Sequence, residues 1–593
     1  MKSIIIFGSG IAGLSAAHEL AQLGHSVTVY EATDQAGGFF RSARLAKDNM
    51  PTEYSWHGMG PWYHNAFDLM QKIPFSEKGS IYDLALSRPV DFGIFPDTAK
   101  AQFYAGLKTI PKMFRMNTRE FITWSYVMLK AWTSNNRSTS KYDKLNAAQI
   151  WKPFLKDTAY KTWRSCFGPW IGSDWSKVSL HTAGDFFRKQ LTTKPPHEHK
   201  ADREGPAWTQ EAGIGWLLFK GPSSEYLFTP WIKHLTKMGV TFYWEKALTK
   251  LELDGTTIVC AFCGDDKIQG DSYILAINPF TTAEILTKTP ALEKQDQLKL
   301  FKPLIHGGPH IQVSFRVAFS EEIKFPRKRT AVVVSDSEFN LTLFAVEQVW
   351  DKEVDLGQNI SSLWTGTSCI SSAPGRIYHK PVTNCTKDEF IEEVTTQILS
   401  CGALNELIKE ANGGKELREF PIIKIEVWHE WKFSPTGITS LQPKWVNSTN
   451  TQAFLPAQKT PVSNLFLAGA HTKTQAQVWS IEGAVESGRR AAKAIDDRVG
   501  VIDQYQPAWI KFLSGIDDIL FTIRAPQLID STFLILLVLV VAITCVSFAV
   551  TTRADNSQAI LRTVKHHAPF DARDEQRVRF TTKHGVAIQD EHK

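Results

Sequence analysis

Cysteine is scarce in this 593-residue chain: there are seven, and only Cys260 and Cys263 lie close together, in Val259-Cys260-Ala261-Phe262-Cys263-Gly264. So few thiols over this length exclude a disulfide scaffold and fit a reducing compartment. No second pair accompanies them, and Gly264-Asp265-Asp266 reads as a hairpin turn, so the pair is expected to be structural rather than a metal half-site. An excess of one charge is lacking as well. The 67 Lys and Arg stand against 61 Asp and Glu, a formal net charge of +6. No basic stripe interleaved with aromatics runs along the chain, so nucleic acid is not expected as a partner. Internal repeats and long low-complexity tracts are missing, which excludes a solenoid. Lys2 and the apolar run behind it are read as a first strand rather than a signal peptide. The five sequons at Asn136, Asn340, Asn359, Asn384 and Asn447 then have no route to a glycosylating lumen.

What the chain does have is apolar residues, 43% of the total, enough over this length for two or three lobes with cores of their own. Its most informative segment is Ile4-Ile5-Ile6-Phe7-Gly8-Ser9-Gly10-Ile11-Ala12-Gly13, a buried strand that turns through glycines into a helix, Leu14 to Leu23. Gly8 allows the tight turn, Gly10 lets the backbone approach a pyrophosphate, and Gly13 lets the helix pack on the sheet with its positive end toward the phosphates. A second strand, Ser26 to Tyr30, follows and ends at Glu31-Ala32, which sets the Glu31 carboxylate on a ribose hydroxyl. The unit is a dinucleotide cradle in an α/β fold.

Beyond the cradle, Ala36-Gly37-Gly38-Phe39-Phe40-Arg41-Ser42 resembles the double-glycine loop of flavoproteins of the amine oxidase and desaturase superfamily. Three more patches extend the likeness. His57, Tyr63 and Asn65 match a segment of plant-type carotenoid desaturases, and Gly60-Pro61 before Trp62 is similar to the flavin-side Gly-Pro of amine oxidases. Phe219 to Leu227, followed by Pro230, looks like the desaturase turn into the helix before the returning flavin strands. Leu467-Ala468-Gly469-Ala470-His471-Thr472-Lys473 with Ser480 to Gly488 is similar to the closing signature of the superfamily, with Ala470 where the family usually has Asp. The strand Pro309 to Val317 resembles the desaturase Pro-x-Ile-Asn-Val pattern. It has no lysine between Lys302 and Lys324, whereas many amine oxidases hold one near the flavin on this strand.

The resemblance implies FAD as cofactor, in a Rossmann-like, glutathione-reductase-like domain interleaved with an α+β substrate domain. It assigns FAD contacts to Gly8, Gly10, Ile11, Ala12, Gly13, Glu31, Ala32, Gly37, Gly38, Arg41, Gly60, Pro61, Trp62, Leu248, Gly469, Ala470, Trp479, Glu482, Gly483 and Ala484. A helix beginning near Glu482-Gly483-Ala484 aims its free N–H groups at the flavin carbonyl. Trp479 either lines the pocket or fills the core. Flavin-binding pieces are expected at 1–84, 216–294 and 421–500, substrate pieces at 85–215 and 295–420, and a linker at 501–530. The activity implied is dehydrogenation of an apolar, isoprenoid or carotenoid-like substrate by hydride transfer to FAD, with a quinone or oxygen as acceptor. Two alternatives stay open, a flavin amine oxidase or protoporphyrinogen oxidase-like enzyme and a catalytically silent flavoprotein scaffold. His57 is the candidate base by position, its other reading being a structural donor beside the Gly-Pro turn.

Residues 531–552 contain no charge over 22 positions, which at about 1.5 Å per residue spans a hydrocarbon core of about 30 Å. The sequence therefore predicts a transmembrane helix, a single-pass membrane localisation and the lipid bilayer as a partner. Residues 553–593 follow as a polar tail with eight Lys or Arg against six Asp or Glu. The catalytic domain is expected in the cytosol, although Arg553, Arg562 and Lys565 behind the span pull the other way. Residues 101–133 mix many aromatics with five basic residues and one acidic residue. They read either as a surface dipping into a bilayer interface or as core helices with snorkelling lysines.

Overall fold

Strand β1, Ser3–Phe7, is buried on both faces because its side chains alternate between two cores. Ile4 and Ile6 enter one apolar cluster, and Ile5 and Phe7 enter another. A strand covered on both sides belongs in the middle of a parallel sheet, and β1 is the central strand of five. In spatial order the strands are Leu465–Leu467, Ser272–Leu275, β1, β2 (Ser26–Tyr30) and Thr241–Tyr243, with every neighbouring pair parallel. The same alternation recurs in Ser272–Leu275, where Ile274 faces the first cluster while Tyr273 and Leu275 face the second. Three stretches of chain far apart in sequence thus build one sheet. Helix α1, Ile11–Gln22, and the closing helix, Ile481–Ile495, cover one face. A three-stranded antiparallel sheet, Lys250–Asp254, Thr257–Cys263 and Asp266–Ile268, adjoins the sheet's second core. Cys260 and Cys263 are free, buried thiols on its middle strand, and Gly264 turns the hairpin at φ +62°.

A second, seven-stranded sheet runs in the order Ile422–Val427, Ser314–Phe319, Ser362–Ser368, Leu341–Ala345, Ala331–Val334, Phe92–Phe95 and Gln102–Phe103. All its pairs are antiparallel except Phe92–Phe95 with Ala331–Val334. Helices Thr118–Trp132, Asp157–Ile171 and Leu180–Thr192 accompany it. The first begins in a capping box in which Asn117 and Glu120 satisfy each other's backbone amides. Phe114 and Trp124 are buried and meet Trp163 edge-on, at 4.8 and 5.3 Å between ring centres. Of the two readings of residues 101–133, the core one describes these two side chains.

The computed structural model describes residues 1–55, 57–87, 90–103, 109–172, 174–193, 216–293, 298–326 and 329–532. Met1–Gln527 forms one unit. Within it the segment expected as a linker holds a helix, Ala508–Thr522, tied down by a 2.9 Å bond from Arg137 Nε to the buried Asp517 carboxylate. The chain from Leu528 is a second unit, described only as far as residue 532, a five-residue helical stretch.

The expected architecture ending in a transmembrane helix is corrected here, and with it the single-pass membrane localisation. No helix among the described residues is long and apolar enough to cross a membrane. Residues 528–532, at about 1.5 Å per residue, reach a small fraction of a hydrocarbon core. The rest of the predicted span, from 533, and the polar tail lie outside the described residues.

Candidate functional site

The turn from β1 into α1 works only with glycine at two positions. Gly8 sits at φ +104°, and a Cβ there would stand 2.5 Å from the Ala276 carbonyl oxygen; a Cβ on Gly13 would stand 2.0 Å from the Gly8 carbonyl oxygen. Gly10 differs, because a Cβ there would meet nothing within 4 Å: its surface faces open space. Gly10 caps α1 without a side-chain acceptor, and no acidic residue occupies the first turn. The first amides of α1 therefore retain donors for an anion, favoured further by the helix dipole.

Glu31 closes the cradle. Its Oε2 accepts from Ser9 N and Ser9 Oγ, both at 2.7 Å, and its Oε1 accepts from Thr33 N and Thr33 Oγ1, both at 3.0 Å. Four donors fix the carboxylate at the end of β2. Gly37 N in turn donates to Ser9 O at 3.1 Å, which brings the double-glycine loop back over the turn.

These groups share the wall of one cavity of about 420 Å³. Of the residues expected at the site, the wall includes Gly8, Gly10, Ile11, Ala12, Glu31, Ala32, Gly37, Gly38, Trp62, Leu248, Gly469, Ala470, Trp479 and Ala484. His57 lies on it too. The other six are set back. Gly13 is spent on packing. Arg41 donates from Nη1 to Thr33 Oγ1 at 3.0 Å and pairs through Nη2 with Glu430, clamping the loop to the third flavin piece. Gly60 and Pro61 are buried beside Trp62, whose Nε1 donates to Gln190 Oε1 at 3.3 Å. Gly483 N donates to Ser480 Oγ at 3.0 Å as part of the closing helix cap. Glu482 turns toward helix α2, His64–Lys72, whose amides at Asn65 and Ala66 it accepts at 3.1 and 2.9 Å. Burial raises its carboxyl to about 7.

The cradle fits FAD: its uncapped helix N-terminus, open Gly10 surface and fixed Glu31 suit a dinucleotide, and the closing helix brings Ile481 and Ala484 to the same wall. His57 is half-buried, its buried Nε2 has no acceptor or donor among the described residues, and Phe40 packs on its ring at 3.8 Å between centres. Burial first, then the positive Arg316 and Lys444, hold its pKa well below the usual histidine value. A neutral imidazole this reluctant to charge is a weak proton acceptor. His471, also on the wall, is likewise kept neutral, lowered to about 3 by burial.

Sequence reading missed Lys444 and Gln312. The segment Pro309 to Val317, whose strand in the structure begins only at Ser314, carries no lysine of its own. An isolated antiparallel bridge from His310 to Lys444, with His310 N donating to Lys444 O at 2.8 Å, brings a lysine beside that segment from another part of the chain. Both Lys444 and Gln312 line the cavity. Their only signal in the sequence was a lone basic residue before Trp445-Val446.

The model of the family described as flavin containing amine oxidoreductase matches residues 11–496. The chain is 23% identical over 512 residues to a 15-cis-phytoene desaturase of an Oncidium hybrid cultivar, covering 83% of this chain and 77% of that protein. It is 23% identical over 532 residues to the zeta-carotene desaturase of Synechocystis sp., covering 83% and 96%. Among solved structures, a putrescine oxidase redesigned in its cofactor binding superposes with a TM-score of 0.56 at 12% identity, covering 84% of this chain and 99% of that one. The chain belongs to the flavin-containing amine oxidoreductase family and is a FAD-dependent oxidoreductase.

Proposed function

We propose that this flavoenzyme dehydrogenates a largely apolar substrate of isoprenoid or carotenoid type, with a quinone or oxygen as the final electron acceptor. The observation that carries the reading is the composition of the cavity wall outside the cradle, where Ile171, Trp216, Trp62, Tyr63 and Val478 present buried apolar and aromatic surface. Ile171 ends helix Asp157–Ile171 and Trp216 opens the segment leading to the flavin-side turn, so parts of the chain outside the parallel sheet form this surface. The names of the two desaturase relatives point the same way. FAD, when bound, supplies the two-electron acceptor for a hydride leaving a substrate carbon. The protein's part is to align the reacting carbons and exclude water. Neutral His57 and His471 favour this division, since neither readily holds a proton.

The test is anaerobic. Purified holoenzyme is mixed with polyene, amine and porphyrinogen panels while flavin absorbance is followed. Bleaching by a polyene supports the reading. Bleaching by amines alone, with hydrogen peroxide released in air, replaces it with amine oxidation. A flavin that no compound reduces makes the protein a scaffold.

A further inference from the structure

Lys444 is a buried ammonium on the wall of the flavin cavity. Gly172, at φ +60°, leaves room for it, since a Cβ there would stand 2.9 Å from Lys444 Nζ. Among the described residues Nζ donates to one acceptor, Gln312 Oε1. That amide is itself held, because Gln312 Nε2 donates to Cys369 Sγ at 3.3 Å. An ammonium carries three N–H groups, and one described acceptor leaves donors over. No described carboxylate on the cavity wall answers them: Glu31 is the only one there, and its four donors fix it at the cradle. The groups that interact electrostatically with Lys444 are His57 and His310, both neutral, and Cys369, whose thiol burial pushes up. Burial lowers Lys444 itself to about 8, so it is still largely protonated at neutral pH. A buried charge with spare donors and no counter-charge among the described residues is suited to a group that enters the cavity.

We propose that Lys444 recognises one end of the substrate, which is an apolar chain carrying a terminal hydrogen-bond acceptor, a carboxylate by preference. The inference rests on the proposed apolar substrate and adds a polar head to it. Gln312 orients the ammonium, and the aromatic wall takes the chain.

Three ligands on one fifteen-carbon skeleton test it: farnesoic acid, farnesol and farnesene. Each is titrated into the FAD-loaded enzyme at pH 7, and binding is read from the perturbed visible flavin spectrum. Farnesoate is expected to bind at least roughly tenfold more tightly than farnesene, with farnesol between, as a charge-assisted hydrogen bond provides. Lys444→Met should erase the advantage of farnesoate, and Lys444→Arg should keep it. Equal affinities in the wild type overturn the proposal before any variant is made. So does an advantage that survives Lys444→Met. Loss of FAD from Lys444→Met but not from Lys444→Arg also overturns it, because the ammonium then serves the cofactor. Turnover is a separate readout: farnesoate preference without flavin bleaching by any polyene refutes the dehydrogenation reading and leaves the acceptor site standing.

Discussion

A Cβ on Gly488 would stand 2.3 Å from the carbonyl oxygen of Ala12. Two helices from opposite ends of the chain therefore touch backbone to backbone, with no side chain between them. Gly488→Ala must push the closing helix off α1, an overpacking change of about 1–3 kcal/mol. Because both helices line the flavin cavity, the expected result is a lower melting temperature together with a lower ratio of flavin to protein absorbance in the purified enzyme.

Glu31 takes four hydrogen bonds from Ser9 and Thr33. In Glu31→Gln the side-chain NH2 must face a backbone N–H, leaving donors opposed at a cost of about 1–3 kcal/mol. FAD affinity, measured by quenching of flavin fluorescence on adding apoenzyme, should weaken roughly tenfold to a hundredfold.

His57→Gln distinguishes a base from a wall residue. A general base contributes on the order of 100-fold or more, whereas a half-buried imidazole kept neutral and packed on Phe40 should contribute far less. The rate of anaerobic flavin reduction is expected to fall by less than about tenfold. A larger fall with unchanged flavin content would return His57 to the chemistry.

Asp185 gives a pH signature. Burial acts to raise its carboxyl, and the adjacent Lys189 and Arg188 charges outweigh that and bring it down to about 2. A folded pKa below the ordinary 3.8 means the stabilisation is fully present above pH ~4 and is lost as pH falls toward 2. Asp185→Asn should lack this acid-sensitive increment and, by leaving buried Lys189 without its carboxylate, lose about 3–5 kcal/mol at neutral pH. Urea midpoints of both proteins from pH 7 to 2.5 check both statements.

Phe114→Ser and Trp124→Ser each empty a place beside Trp163 and should cost about 3–5 kcal/mol. Thermal melts of the single variants measure it. A change below about 1 kcal/mol would place these rings at a surface.

The parts of the site that were legible in the sequence are those in which the backbone is the functional group. Gly8, Gly10 and Gly13 announce themselves because a turn, an open surface and a helix contact each demand a missing Cβ at a fixed spacing. Glu31 follows because β2 has a countable length. Ser480 to Ala484 were readable as a helix start, but not the direction of Glu482, since a carboxylate beside one N-terminus can cap another, here that of α2. Lys444 and Gln312 were illegible for a different reason: 132 positions separate them, and only the bridge at His310 brings them together. The charge-free run at 531–552 satisfied every compositional criterion for a span. Composition measures solubility in lipid, and no helix among the described residues is long and apolar enough to cross a membrane.

The parallel sheet also sets an order of events during synthesis. Its central strand is synthesised within the first ten residues, but the strand that pairs with its second edge is Ser272–Leu275. At about 5–20 residues per second, on the order of 15–55 s pass between the two. For that interval the nascent protein carries a strand, Ile4-Ile5-Ile6-Phe7, with apolar side chains on both faces and one edge unpaired. Anything that shields such an edge, a chaperone above all, sets how much flavoprotein a cell obtains from each messenger.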